Sequence, residues 1–222
     1  MKRSQTGFTL VEIAIVLVII GLLLGGILKG QEMITQAKIK NAITDFSGIS
    51  AAYFGYQDRY RATPGDDALA TRWTTPTAAI PGDGNRVLTG VYNSTAAVTA
   101  ASADNESRLW WDHLRRSGFV SGSGVTNPSN AFNGLLGAQT GDGPTAAGTA
   151  PAAVLGGITN LILCSTNLPD KVAIALDVQM DDGLVATGAV RGMEGSAPVL
   201  TNTPATAYVE DGVKVYTLCR QF

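Results

Sequence analysis

The chain has 222 residues and a formal net charge of −2, and 45% of its residues are hydrophobic. That length suits one ordinary globular domain with an appended segment. The mildly acidic balance argues against a nucleic-acid-binding surface across the whole domain, so no nucleic-acid partner is predicted.

The N-terminus combines a basic leader with a long apolar run. The leader, residues 1–7, carries Lys2 and Arg3, and the run over residues 8–28 is interrupted by one charge, Glu12. As a helix this run would be roughly 31 Å long, enough to cross the hydrocarbon core of a bilayer. The basic leader predicts a cytoplasmic N-terminus, with everything after about Lys29 outside the cytoplasm. A carboxylate in such a run is costly in lipid and needs a partner.

The string GFTLVEIAIVLVIIGLLLGG resembles the N-terminus of the type IV prepilin superfamily, which includes pilins, minor pilins and the pseudopilins of type II secretion. The matching residues are Gly7, Phe8 and Glu12. The resemblance implies that a prepilin peptidase and methyltransferase cleaves between Gly7 and Phe8 and methylates the Phe8 amine. It also implies assembly with identical or related pilin subunits on an inner-membrane platform. The implied location is the bacterial inner membrane, with a single span and a periplasmic head, and later a surface pilus or a periplasmic pseudopilus.

The chemistry of Glu12 fits assembly. Cleavage would free a cationic amine on Phe8, about one helical turn from Glu12, and the carboxylate of one subunit could pair with the amine of a neighbour. An ion pair in a low dielectric is favourable only when both partners are present, so Glu12 would set the register between subunits. The alternative is that Glu12 lies at headgroup depth and stays solvated there.

Other interpretations of the N-terminus remain open. A secretory signal peptide has a shorter apolar stretch, although Gly25-Gly26 could serve as a weak cleavage site. A plain membrane anchor results if Gly7-Phe8 is never cut. Gly21 and Gly25, like Gly26 and Gly30, have the GxxxG spacing that allows helices to approach closely, and the helix either packs intact or loosens at Gly25-Gly26 on assembly.

After the span the apolar pattern becomes one-sided, as in an amphipathic helix. The stripe consists of Ile39, Ala42, Ile43, Phe46, Ile49, Tyr53, Tyr56 and Tyr60. Thr63-Pro64-Gly65 is expected to end this helix. The predicted organisation is a leader over 1–7, a transmembrane and assembly helix over 8–28, its amphipathic continuation over 29–60, and a globular head over 61–222.

Residues 61–160 are rich in Gly, Ala, Thr, Asn and Pro and predict a loop-dominated insert. One helix is expected there, capped by Asp104 or Asn105 and closed by Gly118, with its tryptophans Trp110 and Trp111 and the nearby Phe119 packed on the head. His113 has no ligand or nucleophile near it in sequence and is expected on the surface.

Two acidic turns, Pro64–Asp67 and Pro81–Asn85, supply oxygen ligands that would suit calcium. The full spacing of a calcium loop is missing, and Asp, Asn and Gly are common in any turn. No cofactor is therefore the principal expectation, with calcium as the alternative.

The last sixty residues predict strands. Leu161–Cys164 is a short apolar run, and the period-two alternation over 172–178 predicts another strand. Asp181-Asp182-Gly183 and Asp211-Gly212 are hairpin signals. Cys164 and Cys219 predict one disulfide in an oxidising compartment, and catalytic or metal-binding thiols are the alternative.

These patterns together predict an α+β, pilin-like fold in which a long N-terminal helix, membrane-spanning in its first half, packs on an antiparallel sheet. The predicted function is a structural subunit of a type IV pilus or a type II secretion pseudopilus. The alternatives are a non-polymerising membrane-anchored adhesin or receptor, or a tethered hydrolase. The hydrolase has little support, because the sequence contains no GxSxG, HExxH or phosphate-loop motif.

Overall fold

The computed structural model describes residues 7, 9–99, 105–143 and 150–222. The chain divides into two compact units, residues 1–38 and 39–222. A long helix, α1 (Leu10–Tyr60), supplies most of the first unit and enters the second. Asp104, Phe8 and most of the leader lie outside the described residues.

In the first unit the helix is exposed on every side. All described residues from 9 to 29 are exposed, and the helix is long and apolar enough to cross a membrane. Positions 21, 25, 26 and 30, the glycines of the two GxxxG pairs, have open space around them. An apolar surface of this kind needs lipid or other protein chains to cover it.

The second unit contains an antiparallel sheet of the expected α+β kind. Among the described residues its strands are β1 (Leu136–Thr140), β2 (Leu161–Pro169), β3 (Val190–Glu194) and β4 (Val215–Gln221), in the spatial order β1-β2-β4-β3. The helices α2 (Glu106–Arg116) and α3 (Asp170–Met180) and a short 3-10 helix (Ala70–Arg72) complete the regular structure of the described part of this unit.

One face of the sheet is covered by helices. The buried stripe of α1, including Phe46 and Tyr56, packs with Trp110 of α2 and Leu163 of β2. Further along the sheet, Ile39 and Ala42 pack with residues of α3 and β4. The predicted amphipathic helix is confirmed, and it ends at Tyr60, just before the expected Thr63-Pro64-Gly65, because Arg61 takes a positive φ of 56°.

The other face of the sheet lies under loops and carries the disulfide. Cys164 and Cys219 are directly paired residues of β2 and β4, and their sulfurs are bonded with the Cα atoms 4.0 Å apart. Successive strand residues point to opposite faces, so Leu163 faces α1 whereas Cys164 faces the loop residues Tyr92 and Leu155.

The predicted helix in the insert is confirmed as α2. It begins after Asn105, whose side chain makes no capping hydrogen bond, and it is followed by Gly118, whose φ is 80°. Trp110 and Trp111 are fully buried, and the ring of Phe119 lies against Gly55 of α1. The insert is otherwise mostly without regular structure in its described part, as expected.

The surface placement of His113 is wrong. Its side chain is fully buried, Nδ1 accepts a hydrogen bond from the Gly65 amide at 2.9 Å, and Nε2 lies 2.9 Å from the Ile80 carbonyl oxygen. Nε2 must therefore carry the proton, and burial lowers the pKa of the imidazole. His113 is a neutral bridge between two loops, a role that no local sequence pattern reveals.

The strand predicted over 172–178 is also wrong, because these residues form α3. The buried residues Val172, Ala173, Leu176 and Asp177 recur at helical spacing, while Val178 is exposed. The sequence V-A-I-A-L-D-V is compatible with the period of a strand and with that of a helix, and its alanines favour the helix.

Neither Asp-Gly signal forms a hairpin. Asp181-Asp182-Gly183 ends α3, and Asp211-Gly212 lies in the long connection between β3 and β4. Strand β4 pairs with β2 and β3, and residues 208–209 form no strand. Both Asp-Gly pairs still turn the chain with a positive φ at glycine, so the local signal was correct and the pairing was not.

Strand β1 was not predicted because its sequence, LGAQT, has little strand propensity. It is fixed by tertiary contacts. Gln139 Oε1 accepts a hydrogen bond from the Tyr92 amide at 2.9 Å, and the Tyr92 carbonyl oxygen lies so close to Gly137 that a Cβ there would be 2.1 Å from it.

The first prediction tests the buried stripe of α1. Phe46→Ala should lower the free energy of unfolding by about 3–5 kcal/mol, because it leaves a cavity among fully buried side chains. Phe54→Ala is the matched control, since Phe54 lies on the same helix with 55% of its surface exposed. The control should cost about 1 kcal/mol or less. Denaturant unfolding of both variants in detergent measures this, and equal losses would contradict the packing described.

The second prediction concerns the disulfide. Replacing both cysteines, Cys164→Ser with Cys219→Ser, should lower the free energy of unfolding by about 2–5 kcal/mol, because the bridge closes a loop with a sequence separation of 55. The same denaturant curves measure the loss, and reduction of the wild type should reproduce it. A wild type that is insensitive to reduction would argue against a contribution from the bridge.

Candidate functional site

The candidate assembly site is the start of α1. Gly7 is exposed, and Glu12 lies in the first turn of the helix. Phe8 lies outside the described residues, so the structure places only Gly7 of the two residues at the expected cleavage site.

Glu12 has a local partner that sequence reasoning missed. The backbone amide and the hydroxyl of Thr9 both donate to Glu12 Oε2 at 2.8 Å, and the Glu12 amide faces Thr9 Oγ1 at 3.3 Å. This reciprocal pair is a capping box, in which a threonine at the N-cap and a glutamate three residues later satisfy each other's amides. The T-x-x-E spacing was visible in the sequence. Both residues follow Gly7-Phe8, so cleavage there would leave the capping box intact.

The surface around Glu12 is otherwise apolar. Leu10, Val11, Ile13 and Ile15 are all exposed, as are the apolar residues that follow them along the helix. The next charged residues on α1, Lys29 and Glu32, form an exposed ion pair at 2.7 Å, beyond the apolar run. Glu12 is thus one carboxylate within an apolar cylinder, held by neutral donors.

The two acidic turns singled out for calcium lie together in the structure. Oxygens of Asp66, Asp83 and Glu106 lie within 4.8 Å of one another, and Glu106 was not anticipated because it comes from α2. Gly82 allows this contact, since a Cβ there would lie 2.3 Å from the Asp66 Cα.

The carboxylates of this first acidic cluster are extensively hydrogen-bonded to backbone amides. Asp66 accepts from the amides of Gly84, Asn85 and Arg86, and Glu106 accepts from the amides of Asp83 and Thr89. Burial raises the pKa of Asp66 to about 7, and the hydrogen bond with Asp83 and the charge of Glu106 act in the same direction. These contacts tie the loops of the insert together.

Asp67, the next residue, belongs to a separate network. It accepts from the Tyr56 hydroxyl at 2.6 Å and from Arg72 Nη1 at 2.7 Å, joining α1 to the 3-10 helix. Burial alone would raise the pKa of Asp67, but the bonds from Arg72 and Tyr56 outweigh it and lower the pKa. The network fixes the geometry of this loop against α1.

Comparison with known proteins bears on the N-terminus. Residues 2–28 match the family described as the prokaryotic N-terminal methylation motif. No curated protein matches the chain. The motif implies processing by a prepilin peptidase and assembly with other pilins, and it favours a structural subunit over an enzyme. Together with the apolar helix, it fits membrane anchoring followed by assembly into a pilus. The chain therefore bears the N-terminal signature of the type IV prepilins and pseudopilins.

Proposed function

We propose that this chain is a structural subunit of a type IV pilus or of a type II secretion pseudopilus. In this proposal the leader is removed between Gly7 and Phe8, the Phe8 amine is methylated, and α1 anchors the subunit in the inner membrane with its head in the periplasm. The subunit then leaves the membrane and its helix packs among those of its neighbours, on an inner-membrane assembly platform.

The strongest support comes from Glu12 within an exposed apolar helix. Lipid or neighbouring helices would cover the apolar residues equally well, because hydrocarbon tails are as apolar as leucine. The carboxylate distinguishes the two environments, since a neighbouring subunit can offer it a cationic amine and lipid cannot. Exchange of lipid for protein is then coupled to one specific ion pair.

Thr9 adds a condition to this mechanism. In the single subunit the Glu12 carboxylate is already satisfied by the amide and hydroxyl of Thr9. An incoming amine offers a full positive charge, and charge-assisted hydrogen bonds are about twice as strong as neutral ones. The amine of a neighbour can therefore join or replace Thr9 as the partner of Glu12. Until then the capping box lowers the cost of the carboxylate in the apolar surroundings by giving it two hydrogen-bond donors.

The alternative function is a non-polymerising membrane-anchored adhesin or receptor, or a tethered hydrolase. Such a protein would need the apolar helix but neither a freed amine nor the carboxylate. The state of the N-terminus and the dependence on Glu12 separate the two proposals.

The third prediction concerns processing. In cells with an active prepilin peptidase, the protein extracted from the membrane should begin at methylated Phe8, and mass spectrometry of the intact chain and of its N-terminal peptide measures this. Gly7→Ile is the control that should block cleavage, because a branched side chain replaces the glycine at the junction. A wild-type chain that still begins at Met1 would leave only the anchored alternative.

The fourth prediction separates the charge of Glu12 from its capping role. Glu12→Gln should be processed and folded but should enter filaments poorly, since a missing partner in a low-dielectric ion pair costs about 3–5 kcal/mol. Glutamine still supports a capping box, so the helix start should survive. Quantified filament yield, with immunoblots of membrane and sheared fractions, provides the measurement.

Two controls accompany Glu12→Gln. Thr9→Ala removes the hydroxyl of the cap at a cost of about 0.5–2 kcal/mol but keeps the carboxylate, so it should assemble far better. Glu32→Gln changes another exposed acid on α1, beyond the apolar run, and should assemble normally. Filament yields of Glu12→Gln equal to wild type would refute the role of Glu12 in setting the register.

A further inference from the structure

The charged groups of the second unit differ in sign. Two groups of three described residues are acidic: Asp66, Asp83 and Glu106, and Asp177, Asp181 and Asp182. A cavity of about 390 Å³ beside the C-terminal end of α2 is instead lined by two arginines, Arg115 and Arg116. We refer to it as the arginine cavity. Its volume lies in the usual range for small-ligand sites, about 300–1,000 Å³.

Three segments form the walls of the arginine cavity. Residues 75–77 and residues 122–124 are two of them, and the C-terminal half of α2 supplies Asp112, Arg115 and Arg116. Arg116 Nη1 donates to the Thr77 carbonyl oxygen at 2.8 Å, and Arg115 Nη1 donates to the Gly124 carbonyl oxygen at 2.7 Å. Each loop is thus tied to α2 by one arginine, so the cavity is already formed in the single chain.

Arg116 is engaged by the chain itself. Its Nε donates to Asp112 Oδ2 at 2.6 Å, and Nη1 also donates to the Thr75 carbonyl oxygen at 3.3 Å. The side chains of Arg116 and Asp112 are only 15% and 7% exposed. The charge of Arg116 is therefore paired, and the ion pair is a fixed part of the wall.

Arg115 forms no ion pair with any described residue. Its acceptor, the Gly124 carbonyl, is neutral, and its guanidinium carbon lies 5.8 Å from the centre of the Trp111 ring. Nε is buried without a hydrogen bond, and Gly122 lies close enough that a Cβ there would be 3.5 Å from it. Because the loop covers Nε, a ligand has to be bound by the terminal nitrogens of Arg115.

The arginine cavity consequently carries one positive charge in excess. Among the described residues that line it, two arginines face one aspartate. Burial lowers the pKa of the Arg115 guanidinium, whereas the charge of Asp112 acts in the opposite direction. The end of α2 adds a partial negative charge of about half an elementary charge, but its last carbonyls already accept hydrogen bonds from the amides of residues 117–119. A partly buried guanidinium with neutral acceptors favours the binding of an anion.

We propose that the arginine cavity binds a ligand carboxylate, with Arg115 as its ionic partner. A guanidinium group presents parallel N–H donors that match the two oxygens of a carboxylate. A carboxylate also carries one charge, equal to the excess in the cavity, whereas a phosphate near neutral pH carries more and would leave a negative excess beside Asp112. Ser123, an exposed residue of the wall, offers a hydroxyl to the same ligand.

The carboxylate can come from a free organic acid or from an acidic side chain of another protein. Both sources present the same group to Arg115, so both are tested. The site lies in residues 39–222 and uses neither the cleavage site nor Glu12. Its failure would therefore leave the proposed function unaffected.

The experiment is a calorimetric and thermal-shift titration of the full chain in detergent micelles. The probes are sodium acetate, sodium lactate, sodium phosphate and a blocked Ala-Glu-Ala peptide, with the Ala-Gln-Ala peptide as its neutral control. Sodium chloride at the same ionic strength corrects for screening. Acetate, lactate and the glutamate peptide should bind saturably and raise the thermal midpoint beyond the effect of chloride, because a ligand that binds only the folded state stabilises it.

Five variants locate the site. Arg115→Gln should weaken carboxylate binding by about tenfold or more, because it removes a charged donor, and Arg115→Lys should lie between, because it keeps the charge but loses the planar fork. Ser123→Asp places a carboxylate in the cavity from an exposed position and should abolish binding, whereas Ser123→Asn, its neutral match, should bind like wild type. Arg59→Gln removes an exposed arginine of α1 and should also bind like wild type.

The outcomes decide for or against the site. Binding that is kept in Ser123→Asn, lost in Ser123→Asp and weakened in Arg115→Gln supports it. Binding that survives in Ser123→Asp, a loss in Arg59→Gln, phosphate bound as tightly as acetate, or a wild type that responds only as it does to chloride overturns it. If near-ultraviolet circular dichroism shows that Arg115→Gln fails to fold, the two Ser123 variants decide.

The source of the carboxylate follows from the same titrations. Tighter binding of the glutamate peptide than of acetate and lactate supports the site and assigns the carboxylate to a protein partner. Tighter binding of the free acids supports the site and assigns it to a small organic acid. Binding of the Ala-Gln-Ala peptide as tight as that of its glutamate match overturns the proposal, since the charge would then have no role.

Discussion

The fold of residues 39–222 depends on the burial of one face of α1. Phe46 and Tyr56 are completely buried, and they belong to one apolar cluster with residues of the sheet and of α2. The Tyr56 hydroxyl also bonds to Asp67, so the stripe fixes the first loop of the insert as well as the sheet. Much of the described part of the insert has no regular structure, and it is held by contacts with this helix and with α2 and by buried polar groups such as His113. The part of α1 that packs in the core of residues 39–222 is thus the continuation of the exposed apolar part of the same helix.

Under the proposed function, the same helix has to exchange lipid for neighbouring protein chains. Its apolar residues can be covered by lipid or by protein at similar free energy, so packing alone gives little direction to the exchange. Glu12 supplies direction only if its charge finds a better partner in protein than in the single subunit. An amine from a neighbour has to compete with Thr9, because Thr9 already donates two hydrogen bonds to the Glu12 carboxylate in the single subunit. A neutral cap holds the helix start together, and in the proposed assembly the charge-assisted hydrogen bonds of an ammonium group replace it.

The sequence predicted well wherever a periodic pattern or a motif carried the information. The stripe from Ile39 to Tyr56, the α2 helix after Asn105, the strand at Leu161–Cys164 and the methylation motif were all legible in the chain itself. Prediction was wrong where tertiary contacts decide. The alternation at 172–178 is compatible with strand and helix, β1 is made by Tyr92 approaching Gly137, and His113 is buried by loops distant in sequence. The acidic clusters were only half visible, because Glu106 and Asp177 come from helices whose positions no turn motif predicts.

The two acidic clusters show why composition is a poor guide to a cation site. In the first, backbone amides of residues 83–86 and 89 point at Asp66 and Glu106, and these amides supply the positive potential that a metal would otherwise provide. In the second, formed by Asp177, Asp181 and Asp182 at the C-terminal end of α3, backbone amides reach Asp181 and Asp182, and the Tyr208 hydroxyl donates to Asp177. The donors do not offset burial completely, because burial still raises the pKa of Asp66 in the first cluster and of Asp177 in the second. Motif spacing singles out turns rich in Asp and Gly, whereas the accounting of hydrogen bonds shows which carboxylates the fold already satisfies, and it is the physically stricter criterion.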